Sequence, residues 1–282
     1  FPCGSSATEY TVPATVTTIA YGAFSRAATL VTVTIPEGSQ LETIGYGAFA
    51  FTTALETVNL IPASIKTVGD LPFTQSGVKH IYCADETAKA LIQGKVDGLL
   101  IDVLLSDETP AIEFTDNGYT YRVDDGEALV VSAPKNEATP TIPSKVTYEG
   151  TEYPVTGIWK GAFAISMKWE EANGSADKRN EAITSVTLPD SIMQIGERAF
   201  YFCTNLATIT IQTSKLAIDD LAFATQNSNG TTLDFSAVTQ LQINGTGKWV
   251  GVSKVILNNE GQLDTIKANV RADTVAVVGN DE

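Results

Sequence analysis

A six-residue block that recurs six times constrains this chain more than anything else in its 282 residues. Ile19-Ala20-Tyr21-Gly22-Ala23-Phe24 returns as Ile44-Gly45-Tyr46-Gly47-Ala48-Phe49 and, more loosely, as Val68-Gly69-Asp70-Leu71-Pro72-Phe73. After a gap it reappears as Ile158-Trp159-Lys160-Gly161-Ala162-Phe163, Ile195-Gly196-Glu197-Arg198-Ala199-Phe200 and Ile218-Asp219-Asp220-Leu221-Ala222-Phe223. The Phe-to-Phe spacing is 25 residues from Phe24 to Phe49, 24 on to Phe73, 37 from Phe163 to Phe200 and 23 on to Phe223, so one repeat carries an insertion of about a dozen residues. Such a period means a row of small units, each touching its neighbours, rather than a core wrapped around one centre.

A second block follows each Phe: Leu30, Val33 and Ile35; Leu55, Val58 and Leu60; Val78, Ile81 and Cys83; Ile183, Val186 and Leu188; Leu206, Ile209 and Ile211. The last two apolar positions of each set alternate with polar ones, the pattern of a short strand with one buried face. Each repeat therefore reads as a strand plus a return segment. Pro36, Pro62 and Pro189 stand just past these strands, where a residue that cannot donate to the ladder ends pairing. One unit cannot bury its own apolar side; stacked units can, with Gly or Ala where neighbouring coils approach closely.

These residues carry a resemblance. Leu188-Pro189-Asp190-Ser191-Ile192-Met193-Gln194-Ile195-Gly196-Glu197-Arg198-Ala199-Phe200, continuing to Leu206, and Ile61-Pro62-Ala63-Ser64-Ile65-Lys66-Thr67-Val68-Gly69 resemble the BspA-type leucine-rich repeat of bacterial surface proteins. The repeat-bearing segments cover about two thirds of the chain; Leu71-Pro72 in place of Gly-Ala, the insert after Phe163 and the degenerate repeats after Phe223 depart from the pattern. The resemblance implies a mainly β leucine-rich-repeat solenoid with short helical segments, in a protein that is exported, lipid-anchored in many relatives, and in several adhesive towards host proteins.

The expected organisation is two stacked arrays joined by a β-meander: residues 1–108, and residues 109–282 with the meander at about 111–158. The helical stretch Asp85 to Gln93 and the apolar run Leu99 to Leu105 read as a cap for the first array, because a last coil left open would expose its core. Ser106 to Pro110 reads as a linker. Asp116-Asn117-Gly118, Asp125-Gly126 and Glu149-Gly150 mark three turns of the meander, which would cover the first coil of the second array. Beyond Phe223 the sets Val238, Leu241, Ile243 and Val252, Val255, Leu257 keep the strand spacing without the Phe block, and a second cap is expected to end near Val278.

Composition narrows the chemistry. Against 33 Asp and Glu stand 18 Lys and Arg, a formal charge of −15 that is spread over both halves, so neither nucleic acid nor an anionic membrane surface is an expected partner. No run of eighteen apolar residues occurs, so no transmembrane segment is expected. The one histidine, His80, lies on a strand whose alternation puts it and Tyr82 on one face and Ile81 with Cys83 on the other, which disfavours a local Cys–His nucleophile. No Gly-x-Ser-x-Gly elbow occurs, and Cys3, Cys83 and Cys203 lack zinc-ligand spacing. An odd cysteine count also argues against a disulfide framework. Asp124-Asp125, Glu170-Glu171 and Asp219-Asp220 read as turn and surface residues, and the three Asn-Gly-Ser/Thr sites as turns. No catalytic residue, cofactor or metal site is expected. The start Phe1-Pro2-Cys3, without an initiator Met, is what a processed product would show, with Cys3 a candidate lipid-attachment remnant.

The functional candidates are surfaces. The 36 threonines concentrate attention on the strands: Thr32, Thr57, His80, Ser185 and Thr208 form one outward row, and Thr34, Asn59, Tyr82, Thr187 and Thr210 the next. Stacking would turn these rows into hydroxyl-rich ladders. Tyr21 and Tyr46 occupy equivalent positions and are expected to neighbour each other. The insert from Ser166 to Ala182, with Lys168 and Trp169, reads as a polar loop projecting from the solenoid. The expected role is non-enzymatic binding of a protein or glycan macromolecule at the cell surface or in secreted form, host extracellular matrix being one such partner. A ligand-free spacer of a surface assembly is the alternative, and a glycan-acting enzyme, which would need paired carboxylates in a pocket, a second.

Overall fold

The computed structural model describes residues 5–96, 101–167, 169–271 and 273–278. Its contacts divide the chain into two compact units, Phe1–Pro110 and Ala111–Glu282. It is a mainly β solenoid with short helices.

The first unit runs β1 (Glu9–Thr11), β2 (Thr18–Ile19), β3 (Thr32–Thr34), β4 (Thr43–Ile44), β5 (Thr57–Ile61), β6 (Thr67–Val68), β7 (His80–Cys83), α1 (Glu86–Val96) and β8 (Asp102–Leu105). β1, β3, β5, β7 and β8 form one parallel sheet, and β2, β4 and β6 a second. Each repeat thus supplies two strands where the sequence pattern shows one. The residue pair that enters each six-residue block is itself a strand, too short for a period-2 alternation to reveal.

Side chains from both sheets, Val33, Val58 and Ile81 from one and Ile19, Ile44 and Val68 from the other, join Phe24, Phe49 and Phe73 in one buried cluster. The Phe rings stack at 5.0 and 5.2 Å between centroids, within 8° of parallel. Coil spacing and ring stacking share one length, so a Phe at each coil fills the axis while burying about 1.5–3 kcal/mol worth of apolar surface. The blocks are hydrogen-bonded from coil to coil, as in Phe24 N to Ala48 O and Phe49 N to Pro72 O, both 2.8 Å.

The recurrent glycines serve two different needs. The fourth block position is left-handed in all six copies, at Gly22, Gly47, Leu71, Gly161, Arg198 and Leu221, with φ between 52° and 65°. The second position is where coils touch: a Cβ on Gly69 would lie 2.5 Å from Tyr46 N and 2.8 Å from Gly45 C. Leu60 departs from the expected pattern. It sits at φ 56° in a bulge, and Ile61, fully buried, pairs with Cys83 in its place. The extra residue shifts the inward set by one.

The first array ends in a helix and a strand. Asp85 Oδ1 accepts from Ala88 N at 2.8 Å, capping α1, and Ala88, Ile92 and Val96 bury one stripe of it against the last coil. From the expected apolar run, residues 99 and 100 lie outside the described residues, and Asp102–Leu105 pairs in parallel with β7.

The second unit runs β9 (Ile112–Asp116), β10 (Tyr119–Asp124), β11 (Glu127–Ser132), β12 (Lys145–Tyr148), β13 (Thr151–Ile158), α2 (Trp169–Gly174), β14 (Ser185–Leu188), β15 (Gln194–Ile195), β16 (Thr208–Ile211), β17 (Lys215–Ile218), β18 (Thr231–Phe235), β19 (Gln240–Ile243), β20 (Val252–Leu257), α3 (Gln262–Ile266) and β21 (Val275–Val278). The three turns form hairpins with left-handed pairs at Asn117-Gly118, Asp125-Gly126 and Glu149-Gly150. The segment is not a plain meander, however. β11 pairs in parallel with β13, and the sheet continues β13, β15, β17, β19, so β9 to β11 extend the solenoid's own sheet. Adjacency in sequence misled here because β12 leaves the path and pairs only with β13.

The tail also departs from expectation. Leu241 and Ile243 lie on β19 beside Leu216 and Ile218, whereas the rung after β16 is β18, with Leu233 and Phe235 paired to Val255 and Leu257 of β20. The aromatic axis does not stop at Phe223: Phe163, Phe200 and Phe223 stack at 4.6 and 5.8 Å, and Trp249, fully buried, meets Phe223 edge-on at 5.2 Å. Its block is one residue longer than the others, which hides it from a fixed-length comparison.

Candidate binding surface

On the first unit's larger sheet, parallel pairing aligns Glu9, Thr32, Thr57, His80 and Asp102 in one row and Thr11, Thr34 and Asn59 in the next. The bulge at Leu60 interrupts the register between Val58 and Ile61, so Tyr82 pairs with Leu104 but is not in register with Asn59. On the second unit the rows are Ser185, Thr208, Thr232 and Lys254, and Thr187, Thr210 and Asp234. The expected two rows are therefore four shorter ones, because the described strands of the two arrays fall in separate sheets. Parallel strands in register place equivalent side chains about 4.8 Å apart. Thr11, Asp102, Thr232 and Asp234 escaped the sequence pattern for different reasons: Thr11 precedes the first block, Asp102 follows a helix instead of a block, and Thr232 and Asp234 stand one residue further past Phe223 than Thr208 and Thr210 stand past Phe200, although Thr232-Leu233-Asp234-Phe235 shares the spacing of Thr208-Ile209-Thr210-Ile211.

His80 is half-buried rather than freely exposed. Its Nδ1 lies 3.2 Å from Oδ2 of the buried Asp102, within ion-pair reach but without the angle of a hydrogen bond. At the C-terminal ends of β14, β16 and β18 an open groove of about 670 Å³ is lined by Asp190, Thr210, Gln212, Ser144 and Ser236 over Pro189, Ile211 and Ala237. Thr210 thus belongs to a row and to the groove.

Tyr21 and Tyr46 do meet. Their rings stack at 5.5 Å and 7°, 78% and 47% exposed. Arg26 lies over the exposed ring of Phe51, 5.5 Å from its centroid. The insert is not a projecting loop. Ala172 of α2 is fully buried with Tyr201 and Phe202, Arg179 donates to the carbonyls of Ala172 and Asn173 at 2.7 and 2.8 Å, and buried Asn180 donates to Phe163 O at 2.9 Å. An apolar face on a six-residue helix is too short to announce itself as periodic. Lys168 and the Trp169 side chain lie outside the described residues, as does Cys3.

Cys83 and Cys203 are buried, and burial pushes both thiols up to about 12, far from a reactive thiolate. Lys135 runs the other way: burial lowers its ammonium to about 8, and its Nζ donates to Ala162 O. Among the described residues no group of three His, Cys, Asp or Glu could hold a metal, and no helix is long and apolar enough to cross a membrane.

A family model described as BspA type leucine rich repeat region matches residues 1–90 and 175–250 in six copies, more than half of the chain. The chain belongs to the BspA-type leucine-rich repeat family. Solved relatives share low identity. A leucine-rich repeat protein from Bacteroides capillosus is 22% identical, over 60% of this chain and 99% of that one, with a TM-score of 0.39. The pneumococcal vaccine antigen PcpA is 14% identical, over 100% and 91%, also at 0.39, and a leucine-rich repeat protein from Eubacterium ventriosum 16%, over 98% and 84%, at 0.36. No curated protein matches the chain. The BspA-type model leaves out residues 91–174 and 251–282, which hold the C-terminal half of α1, β8, the β9–β13 segment, α2 and the end of the second array.

Proposed function

We propose that this BspA-type chain is a non-enzymatic recognition module of a bacterial cell surface, binding an extended protein or glycan through the outward rows of its parallel sheets. The observation that carries this reading is the in-register row geometry: Thr32, Thr57 and His80 on one unit, and Thr187, Thr210 and Asp234 beside the groove on the other, present polar groups at a regular interval of about 4.8 Å. The half-buried members of these rows, Thr32, Thr57, His80, Thr210 and Asp234, lose little side-chain entropy on contact, and many weak hydrogen bonds then sum. The exposed tyrosine pair adds an aromatic contact of the kind enriched in interfaces. Family membership supports surface display, and adhesion to a host matrix protein is the specific form of this proposal.

A non-enzymatic role is supported by the thiols held near 12 and by the groove's single carboxylate, Asp190, where glycoside hydrolysis uses two. The test is binding of the chain to immobilised extracellular-matrix proteins and to a glycan array. Thr57→Lys and Thr210→Lys, each on a half-exposed row, are expected to weaken the positive interaction at least tenfold without shifting the unfolding midpoint. Blank panels in both formats would favour a spacer without a ligand of its own.

A further inference from the structure

The second unit holds a cavity apart from the sheet rows and the groove. It measures about 310 Å³ and is lined by Asn117, Tyr119, Tyr121, Glu137, Thr141 and Pro143. Tyr119 is 3% exposed, and its hydroxyl is buried without a hydrogen-bond partner in the protein. Buried phenol hydroxyls are normally answered, and an unanswered one carries a desolvation cost. No protein group meets it, and the cavity that Tyr119 lines together with Glu137 is where a partner would sit.

The walls are held in place on both sides. One is the β9–β10 hairpin, whose Gly118 turn stands so close to Pro134 that an added Cβ would lie 3.2 Å from the proline Cγ. The other is the strap of residues 134–143, stiffened by Pro134, Pro140 and Pro143. Ala138 O accepts from Thr184 N at 2.7 Å and Ser185 N at 3.2 Å, and Thr141 bridges to Thr187 at the edge of β14. A site fixed before the ligand arrives avoids part of the ordering cost of binding.

The chemistry of the lining selects the occupant. Carboxylate, amide and aliphatic hydroxyl at an exposed rim, with a phenol hydroxyl beneath, offer both acceptors and donors to a neutral, hydroxyl-rich molecule. An anion would meet Glu137 in a chain of net charge −15. A quaternary cation would want open aromatic faces, but Tyr121 packs against Phe114 at 5.5 Å and against Tyr119 at 5.9 Å. The volume lies at the small end of the range for ligand pockets, about 300–1,000 Å³.

We propose that this cavity binds one neutral sugar ring, as a free monosaccharide or as the exposed residue of a glycan. Tyr119 supplies a hydrogen bond at the base, Glu137, Asn117 and Thr141 grip ring hydroxyls at the rim, and Pro143 gives an apolar wall. The site is independent of the sheet rows, so its failure and theirs are separable by which variants matter.

The test uses the full chain. Saturation-transfer NMR against neutral hexoses, deoxyhexoses and N-acetylhexosamines addresses the free-sugar source, and a glycan array the polymer source. At least one neutral sugar is expected to bind in one arm. Tyr119→Phe, which removes a single hydroxyl, and Glu137→Ala, at the exposed rim, should each weaken that binding at least tenfold, whereas Thr57→Lys and Thr210→Lys should leave it unchanged. Blank results in both arms, meaning that the cavity takes water alone, would overturn the proposal. So would sugar binding indifferent to both cavity variants, or preferential binding of quaternary ammonium salts.

Discussion

Two glycines of adjacent blocks look interchangeable in the sequence and are not. Gly47 is left-handed at φ 57°, yet a Cβ there would meet nothing closer than Ala50 Cβ at 3.7 Å. Gly69 has an ordinary φ, but its Cβ would collide with the backbone of the preceding coil at 2.5 Å. Gly47→Ala should therefore cost about 1 kcal/mol, the usual penalty for a left-handed L-residue. Gly69→Ala forces the coils apart and should cost roughly 3 kcal/mol or more, in the range of overpacked sites. Urea denaturation of the two variants checks the order, and equal costs would refute the close-approach reading. Leu71, Arg198 and Leu221 already carry the left-handed strain, which shows that coil packing can outweigh it.

At the scale of elements, the array is only as stable as its ends. α1 contributes Ala88, Ile92 and Val96 at i, i+4 and i+8 to the buried cluster, and β8 extends the sheet beyond β7. Ile92 is fully buried there. Ile92→Ala should cost about 2–5 kcal/mol, as other large-to-small core changes do. Because each coil rests on its neighbour, the loss should propagate as dye-accessible apolar surface rather than as a local change. Fluorescence of a hydrophobic dye together with the unfolding midpoint reads this; a shifted midpoint without dye binding would mean the end coil does not need its cap. The same dependence on ends explains why β9 to β11 join the second unit's sheet: they cover its first coil edge with backbone partners instead of leaving N–H and C=O groups open.

Over the whole molecule, the buried titratable groups make stability sensitive to alkali. The Cys83 and Cys203 thiols are held near 12 by burial, and the Tyr119 and Tyr121 phenols are raised above their ordinary range for the same reason. Unfolded, thiols release their protons near pH ~8.5 and phenols near ~10. Above those values the unfolded state holds fewer protons than the folded one, so stability present at lower pH falls as pH rises towards 12. Lys135 opposes this, since its lowered ammonium favours folding increasingly from about 8 up to its free value near ~10.4, but it is one partly exposed group. The urea midpoint should drop between pH 8 and pH 11, and Cys203→Ala should flatten part of that drop. A midpoint unchanged at pH 11 would show that these groups titrate normally.

The sequence by itself determined the period, the Phe axis, the inward strand positions other than Leu60, the hairpin turns and the Tyr21–Tyr46 contact, because a stacked coil repeats its environment and therefore its residue types. Local pattern is the whole constraint there. What the tertiary structure alone decided lies where pairing is not between sequence neighbours. The parallel union of β11 with β13, the place of Leu241 and Ile243 on the other sheet, Trp249 continuing the Phe axis and the docking of the insert through Ala172 each depend on a partner many residues away. The polar rows and the cavity under the strap belong to the same class. A threonine reads alike on any half-exposed strand, and only three-dimensional register aligns it into a row. Tyr119 reads alike in any hairpin, and only the strap anchored on β14 makes it part of a cavity wall.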